Sequence, residues 1–145
     1  MLKSYCFAAA ILAAAATPAF ALDDCGSPPI GPAIPAASDL SGKTVEVGRA
    51  EVLDAYHQVK VYQGALKPFR ACLNTQDAAD AAALTEAKVK GEKDKIPPIQ
   101  DRITARLKLN NQTVDTEQQV ANDFNALHTA QCLSDTDPKI CPKKP

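Results

Sequence analysis

The most regular pattern of apolar and polar positions begins after Gly48. Val52, Val59, Leu66 and Leu73 recur every seven residues, and Ala55, Tyr62 and Phe69 fall between them with the same period. Alternating steps of three and four keep one stripe of a helix apolar, so the spacing predicts helix A over about 48–74 with a seam of a and d positions. Pro68 lies inside that stretch. Its ring frees the carbonyl of Gly64, four residues earlier, and a kink is expected near 64–68. Thr75 can cap a new helical start, and the run DAADAAALTEAKVKGEKDK that follows Gln76 is rich in helix formers. Helix B is predicted over about 76–93, either as a separate helix or as an extension of A, with mainly alanine on its apolar side. Its charged stretch, 86–95, reads as a solvated face. Gly91 and the pair Pro97-Pro98 end it, and Pro98 suits the first turn of another helix.

Helix C is predicted over about 98–132. Ile99, Ile103 and Leu107 lie four apart, and Val114, Val120, Phe124 and Leu127 continue a similar stripe. Asn110-Asn111 weakens the middle and leaves open a division into two shorter helices. Ahead of helix A, residues 25–35 read CGSPPIGPAIP, where prolines at 28, 29, 32 and 35 exclude helix and predict an extended arm lying on the helices. Residues 38–48 are polar and glycine-punctuated and predict a loop, with a short extended piece at 43–47. The tail, 134–145, is expected to be irregular. Two long stripes joined by a proline-marked turn must cover each other. The predicted fold is therefore all-α, an antiparallel helical hairpin (48–133) with a proline-rich arm and loop (22–47) and an irregular tail (134–145). A narrow hairpin core also makes self-association into a four-helix arrangement an expectation.

The extreme N-terminus changes the picture of where this hairpin works. Met1-Leu2-Lys3 carries the only charge before Asp23, and the apolar run over 7–16 is too short to span a bilayer. Ala19-Phe20-Ala21 then places small residues at signal-peptidase spacing. A signal peptide over 1–21, cleaved after Ala21, is expected, and with it a periplasmic or secreted protein. Cys25 follows Leu22-Asp23-Asp24, which argues against acylation and for a chain with no stable membrane anchor.

Removal of the signal takes away Lys3 and leaves the formal net charge of −1 one unit more negative, which argues against nucleic acid as a partner. The remainder has no Trp and few Phe among many alanines, so its core must be thin for its length. Covalent staples would help such a fold. Of five cysteines, Cys6 leaves with the signal, and Cys25, Cys72, Cys132 and Cys141 form an even set in an oxidising compartment. Two disulfides are expected. Four cysteines allow three connectivities; Cys25 with Cys72 and Cys132 with Cys141 is favoured because the second pair closes a short loop through Asp137-Pro138. Such loops contribute about 4 and about 3 kcal/mol in the chain-entropy account.

Candidate chemistry is sparse. His57 and His128 are the only histidines, and neither has a second histidine at i+3 or i+4. They could meet across the hairpin beside Asp54 or Asp123 as a weak copper or zinc site, but isolated surface histidines are the simpler reading. No serine elbow or glycine-rich phosphate loop accompanies them. Asp77 with Asp80, and Asp115 with Glu117, read as solvated helical carboxylates. Tyr56 and Tyr62 read as packing residues that bury the ring and keep the hydroxyl wet. Asn111-Gln112-Thr113 is a glycosylation sequon that matters only in a eukaryotic host.

The stretches VKVYQGALKPFRACL (59–73) and NNQTVDTEQQVANDFNAL (110–127), together with Cys25 before its proline-rich arm, resemble small secreted or periplasmic helical proteins of alphaproteobacterial type. The marks are Tyr62, Phe69 and Cys72 on helix A and Val114, Glu117, Val120, Phe124 and Asn125 on helix C. The resemblance covers about half of the mature chain and leaves out 86–96 and the cysteine-bearing tail. It implies a periplasmic helical hairpin without a known activity, and a Cys25–Cys72 pairing.

The expectation is thus a protein that is not an enzyme and has no cofactor, catalytic residue or metal ligand. Its hairpin would serve as a structural or protein-interaction module, through a partner or a second copy. A secreted inhibitor of a foreign enzyme, presenting the arm or the 132–141 loop, is the alternative from another class. Weak metal binding through the two histidines is a third. Membrane-surface binding fits poorly, because no basic amphipathic helix stands out.

Overall fold

Residues 25–137, Lys139 and Cys141 are described by the computed structural model of the chain. The signal segment and its cleavage site fall outside these residues. Two helices account for most of the rest: α1 (Val45–Lys90) and α2 (Ile96–Ser134), preceded by a 3-10 turn at Ala37–Leu40. Among the described residues there is no strand.

The helix boundaries follow from local chemistry. Thr44 is the N-cap of α1, its hydroxyl accepting from the Val47 amide at 3.4 Å. The helix therefore begins inside the stretch expected to be loop or extended, because a threonine cap four residues before Gly48 outweighs one helical glycine. It ends at Gly91, whose φ of 71° is the left-handed conformation that lets its amide fold back to Ala87 and Lys88. The expected helices A and B are thus one helix of 46 residues. Thr75, expected as a cap, instead donates to the Ala71 carbonyl at 3.0 Å and stays helical. The helix continues through Pro68. Gly64 and Pro68 both face solvent, so water can take up the carbonyl that the proline ring leaves without a donor. Pro97 and Pro98 occupy the first turn of α2, where their missing amides cost nothing. That helix is continuous through Asn110-Asn111.

The helices pair as an antiparallel hairpin, and the seam of α1 falls where the heptads place it. Val52, Ala55, Tyr62, Leu66, Phe69 and Leu73 are buried, and Val59, the remaining expected member, is partly buried against Tyr62, Leu66 and Val120. On α2 the buried residues are Ile99, Arg106, Thr113, Val120, Leu127 and Gln131. The first five recur every seven residues, so α2 has its own heptad seam, but two of its members are polar. Leu107 and Val114, expected on the stripe, are exposed because each stands one position past a buried polar residue.

The arm forms a third layer over half of this hairpin. The Cys25–Cys72 disulfide (Cα–Cα 5.6 Å) fixes its start beside the middle of α1. From there it runs back toward the start of α1. Ile34 packs against both apolar clusters, one of Val52, Ala55 and Leu127 and the other of Tyr62, Leu66 and Val120. Leu40 joins the first cluster. Gly31 must be glycine, because an added Cβ would lie 2.8 Å from Thr116 Cγ2 and 3.1 Å from Val120 Cγ2.

Past Cys72 the arm is gone, and small alanines leave the distal half a slimmer core. Ion pairs hold it instead. Arg102 grips both oxygens of Asp80 (Nε 3.1 Å, Nη2 2.5 Å), while Arg106 donates to Asp77 at 2.6 Å and to Asp80 Oδ2, the oxygen that also accepts from Arg102 Nε. Arg106 is 3% exposed, so its charge depends on these partners. Hydrogen bonding from Arg102, helped by Arg106, holds the Asp80 carboxyl below the usual carboxylate range against the opposing effect of burial. The base of the hairpin carries a second such clamp. Arg49 donates to both oxygens of Asp135 (2.5 and 2.6 Å), and Gln131 donates to the Val45 carbonyl at 3.0 Å and to Asp135 at 3.2 Å. The Arg49 hydrogen bonds hold the Asp135 carboxyl far below its ordinary value, and the amide of Asp137 adds to this.

Candidate functional site

Where the arm crosses α1 it leaves an apolar groove. Pro29, Ile30 and Pro32 form one wall; His57, Gln58, Val61, Tyr62 and Ala65 of α1 form the other. Its volume is about 510 Å³, within the range of ligand-sized clefts. The helix wall follows the flank of the seam that also carries Cys72, so the disulfide that anchors the arm also sets the width of the groove. Two of its side chains stand in water without internal packing to explain them: Ile30 is 94% exposed and Val61 is 74% exposed. Among the described residues no carboxylate or lysine lines it, and the polar groups at its edge are the His57 ring and the Gln58 amide.

Tyr62 closes the floor. Its ring is 4% exposed, and its hydroxyl is buried without a hydrogen-bond partner, which corrects the expectation of a wet hydroxyl. Burial raises the phenol pKa first, the Glu117 carboxylate raises it further and Arg70 opposes them. Arg70 bonds Glu117 at 2.8 Å and Thr113 at 3.3 Å, while its Nη2 is also buried and unpartnered. Two unsatisfied polar groups at the hairpin interface are costly to leave in place. They mark a polar spot in an otherwise apolar layer.

A second, smaller depression of about 210 Å³ lies among Val52, Leu53, Tyr56, Phe124, His128 and Lys139. Its aromatic residues are in contact: Tyr56 with Phe124 (centroids 6.2 Å) and Phe124 stacked on His128 (6.0 Å, 3° between planes). Lys60 stands 5.6 Å above the Tyr56 ring, a cation–π arrangement.

The structure separates the residues expected to share a metal. His57 lines the arm groove, whereas His128 lines the other depression. Asp54 accepts from Gln58 at 2.6 Å and Asp123 from Gln119 at 2.8 Å, each within its own helix. Among the described residues, the metal-capable donors that do converge are His128, Cys132 and Cys141. All four cysteines singled out in the sequence are placed, as Cys25–Cys72 and Cys132–Cys141. Asp80 is not a solvated acid but is buried between Arg102 and Arg106; Asp77 pairs with Arg106 while staying 41% exposed, and Glu117 is held by Arg70. Sequence reading missed Arg49, Arg70, Arg106, Gln131 and Asp135. The seven-residue spacing of Ile99, Arg106, Thr113, Val120 and Leu127 was the one signal that could have found Arg106. Comparison of the chain with protein-family models, with curated proteins and with solved structures finds no match.

Proposed function

We propose that the protein acts outside the cytosol as a non-catalytic binding module, and that the groove between arm and α1 receives an apolar or aromatic side chain of a partner protein. The observation that carries this reading is the apolar cleft of about 510 Å³ with Ile30 and Val61 held in water at its walls. Both walls are fixed before any partner arrives, one by the Cys25–Cys72 bridge and the buried Ile34, the other by α1 itself. Preorganised walls lower the entropic cost of binding.

The chemistry of the groove narrows the occupant. Its lining favours desolvation over ion pairing. The arm cannot act as a β-strand template, since Pro28, Pro29, Pro32 and Pro35 lack amide donors. The helix wall spans residues 57–65, about two turns or ~12 Å, which fits one or two large side chains and not a long helix. The a and d seam itself is already consumed by α2 and the arm. Two disulfides, together with the absence among the described residues of a helix long and apolar enough to cross a membrane, support work in an oxidising compartment.

Site-specific photo-crosslinking in the exporting host tests this. A benzophenone side chain at position 61 should trap one defined protein, an otherwise identical probe at position 118 should not, and Ile30→Asp should abolish the adduct. Equal trapping at both positions, or trapping indifferent to Ile30→Asp, defeats the reading. An adduct of twice the chain mass, with dimers in light scattering that Val61→Asp dissolves, would replace the foreign partner by a second copy.

A further inference from the structure

We propose that the Cys132–Cys141 bridge, once reduced, becomes a zinc site in which both thiolates and the Nε2 of His128 are ligands. His128 and Cys132 stand one helical turn apart on α2, the i,i+4 spacing that aims two side chains at one point. Their donor atoms, Nε2 and Sγ, are 3.7 Å apart. Zinc–sulfur and zinc–nitrogen bonds of about 2.3 and 2.0–2.1 Å, at tetrahedral to trigonal angles, place two such ligands roughly 3.6–3.8 Å apart. That edge of a zinc polyhedron is therefore already built.

Cys141 supplies the third donor, and all three lie within 4.8 Å of one another. Opening the bridge lets the two sulfurs separate to the roughly 3.8 Å that two thiolates keep around a zinc ion. Hydrogen bonds besides the bridge also tie Cys141 to α2. Asp135 is pinned by Arg49 and Gln131, its Oδ1 accepts from the Asp137 amide at 2.9 Å, and the Asp137 carbonyl accepts from the Cys141 amide at 2.8 Å. Opening the disulfide leaves these bonds in place, so the thiols stay close. The three donor residues are half-buried, within reach of a reductant and a cation.

The chemistry balances with a dithiol reductant. Two electrons pass to the protein, its S–S bond breaks, one S–S bond forms on the reductant, and the two protons end on Cys132 and Cys141. Zinc then displaces both protons to solvent, and the neutral imidazole completes an S₂N set without net charge, leaving a fourth position for water. The other bridge, Cys25–Cys72, has no histidine beside it in the converging set.

Cobalt(II) is the probe. Purified protein is reduced, its thiols are mapped by alkylation, its helicity is checked by circular dichroism, and it is then titrated with cobalt. The expected result is one equivalent bound, with thiolate-to-cobalt charge transfer and ligand-field bands of tetrahedral intensity, displaced by one equivalent of zinc. Oxidised protein and the Cys132→Ser/Cys141→Ser variant should lack the bands, and His128→Ala should bind at least about tenfold more weakly. Three outcomes would each overturn the site. They are octahedral spectra in reduced wild type, bands that persist in the double-serine variant through Cys25 and Cys72, and loss of the helices on reduction.

Discussion

Gly48→Ala should destabilise this protein, although it places alanine for glycine inside a helix. The ordinary substitution stabilises by about 0.5–1 kcal/mol, since glycine has more backbone freedom to lose. At Gly48 the new Cβ would fall within the van der Waals surface of Gln131 Oε1 and 2.9 Å from its Cδ. Gln131 is buried and cannot step aside without giving up its bonds to the Val45 carbonyl and to Asp135. Two lost internal hydrogen bonds amount to about 2 kcal/mol, with more if the carboxylate is left underbonded. Against the propensity gain, the net loss is about 1–2 kcal/mol. Urea unfolding followed by the helical circular dichroism signal measures it, and Gly64→Ala in the same helix is the control. There the Cβ meets nothing within 4 Å, so the usual gain should appear. In a Gln131→Ala background Gly48→Ala should turn stabilising. If Gly48→Ala stabilises the wild type as much as Gly64→Ala does, or if its cost survives without Gln131, the steric argument is wrong.

Acid should weaken the fold through its two clamps. Asp80 and Asp135 have folded pKa values below the unfolded carboxylate value of about 3.9, so their contribution is complete above that pH and is lost as pH falls toward the folded values. Stability curves from pH 6 downward should show a decline below about pH 4 that is shallower in Asp80→Asn and Asp135→Asn. Arg106→Met should cost about 1–3 kcal/mol in chemical denaturation by removing its bonds to Asp77 and Asp80, less than a fully stranded charge would, because Arg102 still holds Asp80 and Asp77 is 41% exposed. Leu127→Ala, at a site with 0% exposure between α1 and the arm, should cost about 2–5 kcal/mol by the same measurement. Removing Cys25 and Cys72 as a serine pair should lower stability by up to about 4 kcal/mol and make the arm the first site of limited proteolysis, whereas the Cys132/Cys141 pair should cost about 3 kcal/mol and leave the arm protected.

The α1 seam was legible because its seven-residue pattern is made of apolar residues alone, from Val52 to Leu73. The α2 seam was legible only at its ends. At Arg106 and Thr113 the chain spends buried positions on polar groups, whose partners, Asp77, Asp80 and Arg70, come from the other helix, and no local window displays them. Leu107 and Val114, sitting one residue later, carry the hydropathy signal to the wrong face. Boundaries failed where capping competed with composition. Thr44 starts α1 before the glycine that looked like a limit, and Thr75, with the same side chain, caps nothing because α1 continues to Gly91. The groove was not legible, since it exists only where Pro29, Ile30 and Pro32 lie across α1. The convergence of His128 with two cysteines was hidden for a similar reason, because Cys141 reaches it through a loop.

Both bridges join cysteines that are neighbours in chain order, Cys25 to Cys72 and then Cys132 to Cys141. Were the chain exported N-terminus first into an oxidising space, the first pair would be present before the second, and sequential oxidation would reach the native connectivity with no wrong partner to be undone. The arm would then be latched onto a half-grown α1 before α2 arrives. Maturation would then call for an oxidant but no shuffling isomerase.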